Sequence, residues 1–122
     1  MNNPVVWFEI GTIDIERARA FYAEVFQTSF QLVEMPGMTM YMFASSPEGA
    51  GAGGALVQGD DNTPSMEGSI IYFGSNDVSV EIGRVEKAGG TVLLPKTSIG
   101  DFGFIAMFAD TEGNRIGIHS MS

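Results

Sequence analysis

Two side chains that could do acid–base chemistry stand near opposite ends of the chain, Glu9 and His119. His119 is the only histidine among the 122 residues, and cysteine is absent. Thiol nucleophiles, disulfides and thiolate metal sites are therefore excluded. A Ser–His–Asp triad could use only this one histidine as its base. A carboxylate and an imidazole can still exchange protons with a bound molecule, or hold it by hydrogen bonds.

The strands expected around these two residues decide whether they can share a site. Side chains alternate between the two faces of a strand, so Glu9 shares a face with Trp7, and His119 shares a face with Gly117. A slip of one residue in register would reverse both assignments. Two plainer interpretations stay open. Glu9 could be solvated or paired with Arg115, and His119 could be a satisfied core or edge histidine.

Hydrophobic spacing predicts a strand, a helix and three strands, and then the same order again. The predicted strands cover 5–10, 29–34, 38–44, 53–58, 69–74, 91–95, 102–109 and 114–120, and the predicted helices cover 14–26 and 77–88. Asp14 and Asp77 are expected to cap the two helices, because a carboxylate can accept hydrogen bonds from the free amides of a first turn. Gly89 and Gly90 are expected to end the second helix.

The two halves of the sequence match when one is shifted by 63 residues. The shift places Asp14 on Asp77 and makes Tyr72 the counterpart of Glu9. We therefore expect one domain with an internal βαβββ duplication, because the period is too long for a solenoid repeat. Its parts are module 1 (4–58), a polar linker (59–68) and module 2 (69–121).

Three features make the chain resemble the vicinal oxygen chelate superfamily, which includes glyoxalase I, bleomycin-resistance proteins and extradiol dioxygenases. They are "WFEIGTIDIERARAFYAEVF", "GGTVLLPKTSIGDFGFIAMFADTEGNRIGIHS" and the 63-residue offset. The resemblance implies an α+β fold in which two βαβββ modules curl their mixed sheets into a cup, with the helices outside. It also implies a homodimer. It does not imply one reaction, since the superfamily hosts isomerases, lyases, dioxygenases, thiol transferases and binding proteins.

In metal-dependent relatives four side chains inside the cup hold a divalent ion, and the resemblance places their equivalents here. They are Trp7, Ile70, one residue within Ala55 to Val57, and Gly117. An indole, aliphatic side chains and a glycine offer such an ion no suitable lone pair. We therefore expect no metal and no other cofactor. A shifted metal site built from Glu9 and His119 is a weaker alternative, because two ligands are too few for a closed site.

Aromatic residues are expected to line the pocket that the resemblance implies. The candidate ligand-binding residues are Trp7, Tyr41, Tyr72 and Gly117, and the candidate catalytic residues are Glu9 and His119. Trp7 and Tyr72 could instead be ordinary core aromatics. The three methionines at 38, 40 and 42 share the strand face opposite Tyr41. Such a strand more often belongs to a core than to an adaptable pocket wall.

Composition excludes several classes of partner. The 15 acidic and 6 basic residues give a formal charge of −9, which would repel a nucleic-acid backbone. No apolar run approaches the roughly 18 residues of a membrane span. The start, "MNNPVVWFEI", lacks the pattern of a secretory signal, so a cytoplasmic protein is expected. "GAGAGG" fits a dinucleotide-binding pattern, but a strand is predicted after it where that motif needs a helix.

The leading expectation is a bleomycin-resistance-like or glyoxalase-like protein that binds a small organic molecule in a metal-free cup and could sequester it. The alternative is a metal-independent isomerase or lyase of the glyoxalase-like group that uses Glu9 and His119, unlike a typical metal-dependent glyoxalase I. A third expectation is an interaction or structural protein with a filled cup. The sequence leaves open whether the cup forms within one chain or across a dimer.

Overall fold

The computed structural model describes residues 3–122, in which the predicted order of strands and helices is present. The strands are β1 (Trp7–Gly11), β2 (Phe30–Met35), β3 (Met38–Phe43), β4 (Gly53–Gly59), β5 (Ile71–Gly74), β6 (Thr91–Ser98), β7 (Phe104–Ala109) and β8 (Arg115–Ser120). The helices are α1 (Ile15–Phe26), α2 (Val78–Ile82) and α3 (Val85–Ala88), and a 3₁₀ turn spans Gly100–Phe102. No helix within residues 3–122 has the length and apolar character to cross a membrane.

Each module forms its own four-stranded mixed sheet. The strand order is β1-β4-β3-β2 in the first sheet and β5-β8-β7-β6 in the second. In both sheets the first strand of the module pairs in parallel with the last, and the other neighbours are antiparallel. The same topology therefore occurs twice, as the 63-residue offset indicated.

Local sequence explains where the helices begin and end. α1 starts after Asp14, whose carboxylate accepts a hydrogen bond from the backbone N–H of Arg17 at 3.1 Å. In module 2 the predicted single helix is broken in two, since α2 ends at Gly83 and α3 ends at Gly89. Glycine weakens a helix because it gives up more backbone freedom than other residues. Gly89 takes a left-handed conformation (φ 108°) that favours glycine.

Helix α1 lies between the two sheets and contacts both. The buried ring of Tyr22 lies 5.8 Å from Phe43 of β3 and 6.3 Å from Phe108 of β7, measured between ring centroids. The preceding residue, Phe21, also contacts Phe108 at 5.6 Å. Because β3 and β7 belong to different sheets, one helix is covered from two sides. A single hydrophobic core accordingly combines buried residues of both modules.

The other face of each sheet points away from this shared core, and we call it the outer face. Within one chain the arrangement is a sandwich of sheet, helices and sheet, and the sheets are not closed into a cup with the helices outside. Each outer face carries a half-exposed aromatic side chain, Trp7 at 42% exposure and Tyr72 at 47%. The concave surface that the resemblance implied is therefore divided between two separate outer faces.

Candidate functional site

Trp7 and Glu9 stand together on the outer face of the first sheet. In the parallel register of β1 and β4, Trp7 pairs with Gly53 and Glu9 pairs with Ala55. The Trp7 indole lies over Gly53, with a ring carbon 3.5 Å from the point that a Cβ of residue 53 would occupy. The indole N–H donates a hydrogen bond to Oε2 of Glu9 at 3.3 Å. The structure therefore brings these two predicted site residues together.

A methionine-rich floor continues this outer face. Residues paired across a sheet share a face, and Met42 pairs with Ala55 while Met40 pairs with Val57. The buried members of the floor are Met40, Ala55 and Val57, and Val33, Met38 and Met42 pack against them. The methionines thus lie outside the shared core. Their flexible thioether side chains give an apolar surface that can adapt to a bound shape.

Tyr41 lies on the opposite face of β3, against α1. Its hydroxyl donates to Oε2 of Glu16 at 2.5 Å, and the guanidinium of Arg19 lies 5.5 Å from its ring centroid. The hydrogen bond raises the pKa of Tyr41 and lowers the pKa of Glu16. Tyr41 and Trp7, both predicted to bind the ligand, are therefore on opposite faces of the first sheet.

The ring of Tyr72 covers Gly117 on the outer face of the second sheet. The two residues are paired in register, and a Cβ at residue 117 would lie 2.4 Å from two carbons of the ring. Only a residue without a side chain lets the ring lie against β8 in this way. The Tyr72 hydroxyl reaches Sδ of Met107 at 3.8 Å. One side of the ring thus rests on the sheet and the other side is left open.

His119 lies two residues beyond Gly117 on the same outer face. Its Nε2 is 2.6 Å from the backbone carbonyl oxygen of Phe102. A carbonyl only accepts, so the imidazole donates this hydrogen bond through Nε2–H. Side chains around it border an open, shallow cavity of about 500 Å³. Its lining residues are Tyr72, Gly74, Ile99, Phe102, Ile105 and His119.

Glu9 and His119, the candidate acid–base pair, lie on the outer faces of different sheets. Glu9 lines a cavity of about 140 Å³ together with linker residues that include Ser65 and Glu67. His119 lines the larger cavity beside Tyr72. The two side chains thus line different cavities of the described chain.

A buried polar cluster joins the start of α1 to the turn between β7 and β8. The fully buried carboxylate of Glu112 accepts hydrogen bonds from the backbone N–H groups of Ile13 and Asp14 at 2.8 and 2.7 Å. It also accepts one from Nε of Arg17 at 2.7 Å. Burial by itself raises the pKa of Glu112, but the hydrogen bonds outweigh it and hold that pKa at about 2, against an ordinary 4.5. The cluster fixes the two modules to each other beside the outer faces.

Asp110 anchors the same turn to the core. Its Oδ2 accepts hydrogen bonds from the buried Tyr22 hydroxyl at 2.6 Å and from Nδ2 of Asn114 at 2.9 Å. Its Oδ1 accepts from the backbone N–H groups of Glu112 and Asn114 at 2.8 and 2.9 Å. Burial, together with the nearby Asp110 carboxylate, raises the pKa of Tyr22 well above its ordinary value. The D-T-E-G-N stretch therefore has a structural role.

Comparison with known proteins assigns the chain to a family. The model of the glyoxalase/bleomycin resistance protein/dioxygenase superfamily matches residues 5–118. The chain belongs to this superfamily. The anthracycline biosynthesis protein DauV of Streptomyces sp. (strain C5) is 30% identical over 118 residues, which cover 88% of this chain and 43% of DauV. This superfamily member thus spans less than half the length of the curated relatives that it matches.

Solved structures of the superfamily share the fold. TnmS3, an antibiotic binding protein from Streptomyces sp. CB03234, is 28% identical, with a TM-score of 0.72 and coverage of 100% of this chain and 99% of TnmS3. Glyoxalase I from Zea mays is 20% identical, with a TM-score of 0.74 over 97% of this chain and 46% of that chain, which shows the fold alone. The predicted family and the α+β class with two mixed sheets are confirmed.

The divalent-metal site of metal-dependent superfamily members does not fit the residues of this chain. A carboxylate at residue 117 would meet the ring of Tyr72, which already lies 2.4 Å from the Cβ position. Trp7 offers an indole, and Ala55 and Val57 are aliphatic and fully buried. Within residues 3–122, no group of three His, Cys, Asp or Glu side chains is placed to hold a metal ion. The donor set that such an ion prefers is not provided.

Two loop residues that line the larger cavity, Ile99 and Phe102, are not among the residues predicted from sequence. A local signal for them was present. Gly100 and Gly103 both take a left-handed backbone, with φ of 72° and 100°, which glycine adopts without steric cost. Two such glycines around an aromatic residue indicate a tight loop that presents the ring between them. Ile105 was missed because its strand was assigned no role.

Proposed function

We propose that this protein binds and sequesters a small organic molecule with a flat aromatic surface in a metal-free pocket. The observation that carries the proposal is the pair of half-exposed rings, Trp7 and Tyr72, each lying over a glycine of an outer face. Ring faces left open in this way suit stacking with an aromatic ligand. Two relatives support the proposal, since TnmS3 binds an antibiotic and DauV belongs to anthracycline biosynthesis.

We also infer that the pocket is completed by a second copy of the chain. The cavity beside Tyr72 and His119 is open to solvent, so a single chain does not enclose a ligand there. Val5 and Val6, next to Trp7, are exposed at 62% and 80%. Contiguous exposed apolar surface of this kind marks an interaction site. In a two-fold dimer the Trp7 face of one copy would meet the Tyr72 face of the other, giving two identical pockets.

Ligand binding can be followed through Trp7, the only tryptophan in the chain. An anthracycline titrated into the protein is expected to quench this fluorescence saturably, because the ligand stacks beside the indole. Tyr72→Ala is expected to weaken binding about tenfold, since an aromatic pair contributes about 0.5–1.5 kcal/mol beyond its buried area. Tyr41→Ala is the matched control, because Tyr41 lies on the opposite face of its sheet, and its affinity is expected to stay at the parent value.

Three results would contradict the proposal. The first is no saturable quenching by any member of a panel of fused-ring aromatic compounds that includes the anthracycline. The second is an equal loss of affinity in the two tyrosine variants, which would place the ligand elsewhere. The third is calorimetric titration showing one tightly held divalent ion per chain. Sedimentation equilibrium tests the inferred assembly, and a monomer at ligand-saturating concentration would rule out a pocket shared by two copies.

The alternative function is a metal-independent isomerase or lyase. It is favoured by one observation, that Glu9 and His119 both lie on outer faces that a dimer would bring together. Glu9→Gln distinguishes the two functions. An enzyme would lose turnover with its ligand affinity mostly intact, whereas a binding protein shows no turnover before or after the substitution.

A further inference from the structure

The loop from Ile99 to Gly103 is closed by backbone hydrogen bonds although its aromatic side chain is exposed. The backbone N–H of Ile99 donates to the carbonyl of Gly103 at 2.9 Å, and the N–H of Gly103 donates to the carbonyl of Gly100 at 3.2 Å. A Cβ at Gly103 would lie 2.4 Å from the carbonyl oxygen of Ser120, so the loop backbone lies directly against the end of β8. The loop therefore has a fixed position relative to the outer face.

Phe102 projects from this hydrogen-bonded loop beside the cavity of about 500 Å³. It is 76% exposed, which is high for a phenylalanine. Tyr72 and Ile105 line the same cavity, so two aromatic rings and an aliphatic side chain border one space. An apolar cavity with aromatic walls suits a flat organic molecule better than a charged metabolite.

We propose that Phe102 is a ligand-contacting residue that forms a second aromatic wall with Tyr72, and that His119 positions it. The proposal rests on the proposed function and names the part of the site that selects for a flat aromatic ligand. A rigid loop presents the ring without the entropic cost of ordering it when the ligand binds. The ligand would lie between the loop and the outer face of β5 and β8.

His119 is the residue that fixes the loop from the sheet side. Its Nε2–H donates to the carbonyl of Phe102 at 2.6 Å, the residue whose ring borders the cavity. The neutral Nε2–H tautomer and the imidazolium both donate this hydrogen bond. His119 is therefore a positioning residue that acts through Phe102, and its role requires a donor at that atom and no exchange of protons.

The test is a double-mutant cycle measured by quenching of Trp7 fluorescence with an anthracycline as the probe. Phe102→Ala is expected to weaken binding about tenfold, as truncation of an aromatic anchor commonly does. His119→Ala is expected to weaken binding about threefold to tenfold when Phe102 is present and to have no further effect in the Phe102→Ala background. His119→Gln, which can offer an amide N–H near the same place, is expected to restore most of the affinity.

Hydrogen exchange supplies a readout independent of ligand. The amide of Ile99, which donates within the loop, is expected to exchange faster in His119→Ala than in the parent, while amides of β3 in module 1 stay unchanged. Unchanged exchange at Ile99 would overturn the positioning role.

The binding results separate this inference from the proposed function. Parent affinity in Phe102→Ala, with normal binding by the unmodified protein, overturns the inference and leaves the proposed function standing. So does an equal effect of His119→Ala in both backgrounds, since a merely structural histidine would act without Phe102. Looser dimerisation of Phe102→Ala with unaltered ligand affinity would show that a second copy covers the ring. No binding by the unmodified protein overturns both proposals.

Discussion

Replacing Glu112 by glutamine is expected to destabilise the native state at neutral pH. The pKa of Glu112 is about 2 in the folded chain against an ordinary 4.5. One pKa unit corresponds to about 1.4 kcal/mol, so the ionised carboxylate contributes about 3 kcal/mol to folding. Arg17 is half exposed, and screening by water lowers the expected loss to about 2 kcal/mol. Glutamine has nearly the same shape, so the loss measures the charge and its hydrogen bonds.

The pH dependence has a definite sign. Because the folded pKa lies below the unfolded one, the stabilisation is fully present above about pH 4.5 and is lost as the pH falls toward 2. The difference between the parent and Glu112→Gln is therefore expected to shrink, and at pH 3 it should be about half or less of its value at pH 7. This difference in the free energy of unfolding is measured by urea titration at the two pH values, with far-UV circular dichroism as the signal.

Glu48→Gln is the control for this experiment, because Glu48 is an exposed carboxylate in a loop. It is expected to change the free energy of unfolding by less than about 0.5 kcal/mol at either pH. The reasoning is refuted if Glu112→Gln unfolds with the parent's free energy at pH 7. It is equally refuted if Glu112→Gln is less stable than the parent by the same free energy at pH 3 and at pH 7. A change in packing alone would lower stability equally at both pH values.

Two further substitutions test the packing around the outer face and the core. Gly117→Glu is expected to cost about 1–3 kcal/mol of stability because the Tyr72 ring occupies the space, and to bind no divalent ion in calorimetry. Adding Tyr72→Ala should recover most of that loss, and a Gly117→Glu variant as stable as the parent would contradict the clash. Tyr22→Phe is expected to cost about 1–2 kcal/mol in urea unfolding, because buried Asp110 loses a donor. Tyr41→Phe, whose hydroxyl partner is exposed, should cost less than about 1 kcal/mol, and equal costs for the two tyrosines would refute this assignment.

Most of the fold could be predicted because local rules and the hydrophobic pattern agree. The capping carboxylates and the alternation of apolar residues give the order of elements, and the offset of 63 residues gives the repeat. The strand predicted at 91–95 was cut short at Pro95, whereas β6 continues to Ser98. Proline is tolerated there because β6 is an edge strand whose pairing with β7 is irregular between Leu94 and Thr97. Edge position is a tertiary property that the local sequence does not carry.

The candidate site could be predicted face by face but not as a whole. Alternation correctly placed Trp7 with Glu9 and Gly117 with His119, because period 2 is intrinsic to a strand. The same rule places Tyr41 opposite the methionines, but only the pairing of β3 and β4 puts the methionines on the face of Trp7, and thus Tyr41 away from it. The alternation of side chains along a strand does not predict the hydrogen-bond partner of His119. That partner, the carbonyl of Phe102, lies in a loop 17 residues earlier in the chain.

The position of α1 between the two sheets is accompanied by adjacent buried aromatic residues in the helix. Consecutive residues of a helix point about 100° apart, so the burial of both Phe21 and Tyr22 gives α1 a wide apolar face. A helix with one narrow apolar stripe would have lain on one sheet with its other side in water. Both rings are in fact buried, and both reach Phe108 of the second sheet. The half-exposed rings of Trp7 and Tyr72 lie on the outer faces of the sheets, away from this helix, and we propose that a second copy of the chain encloses a ligand there.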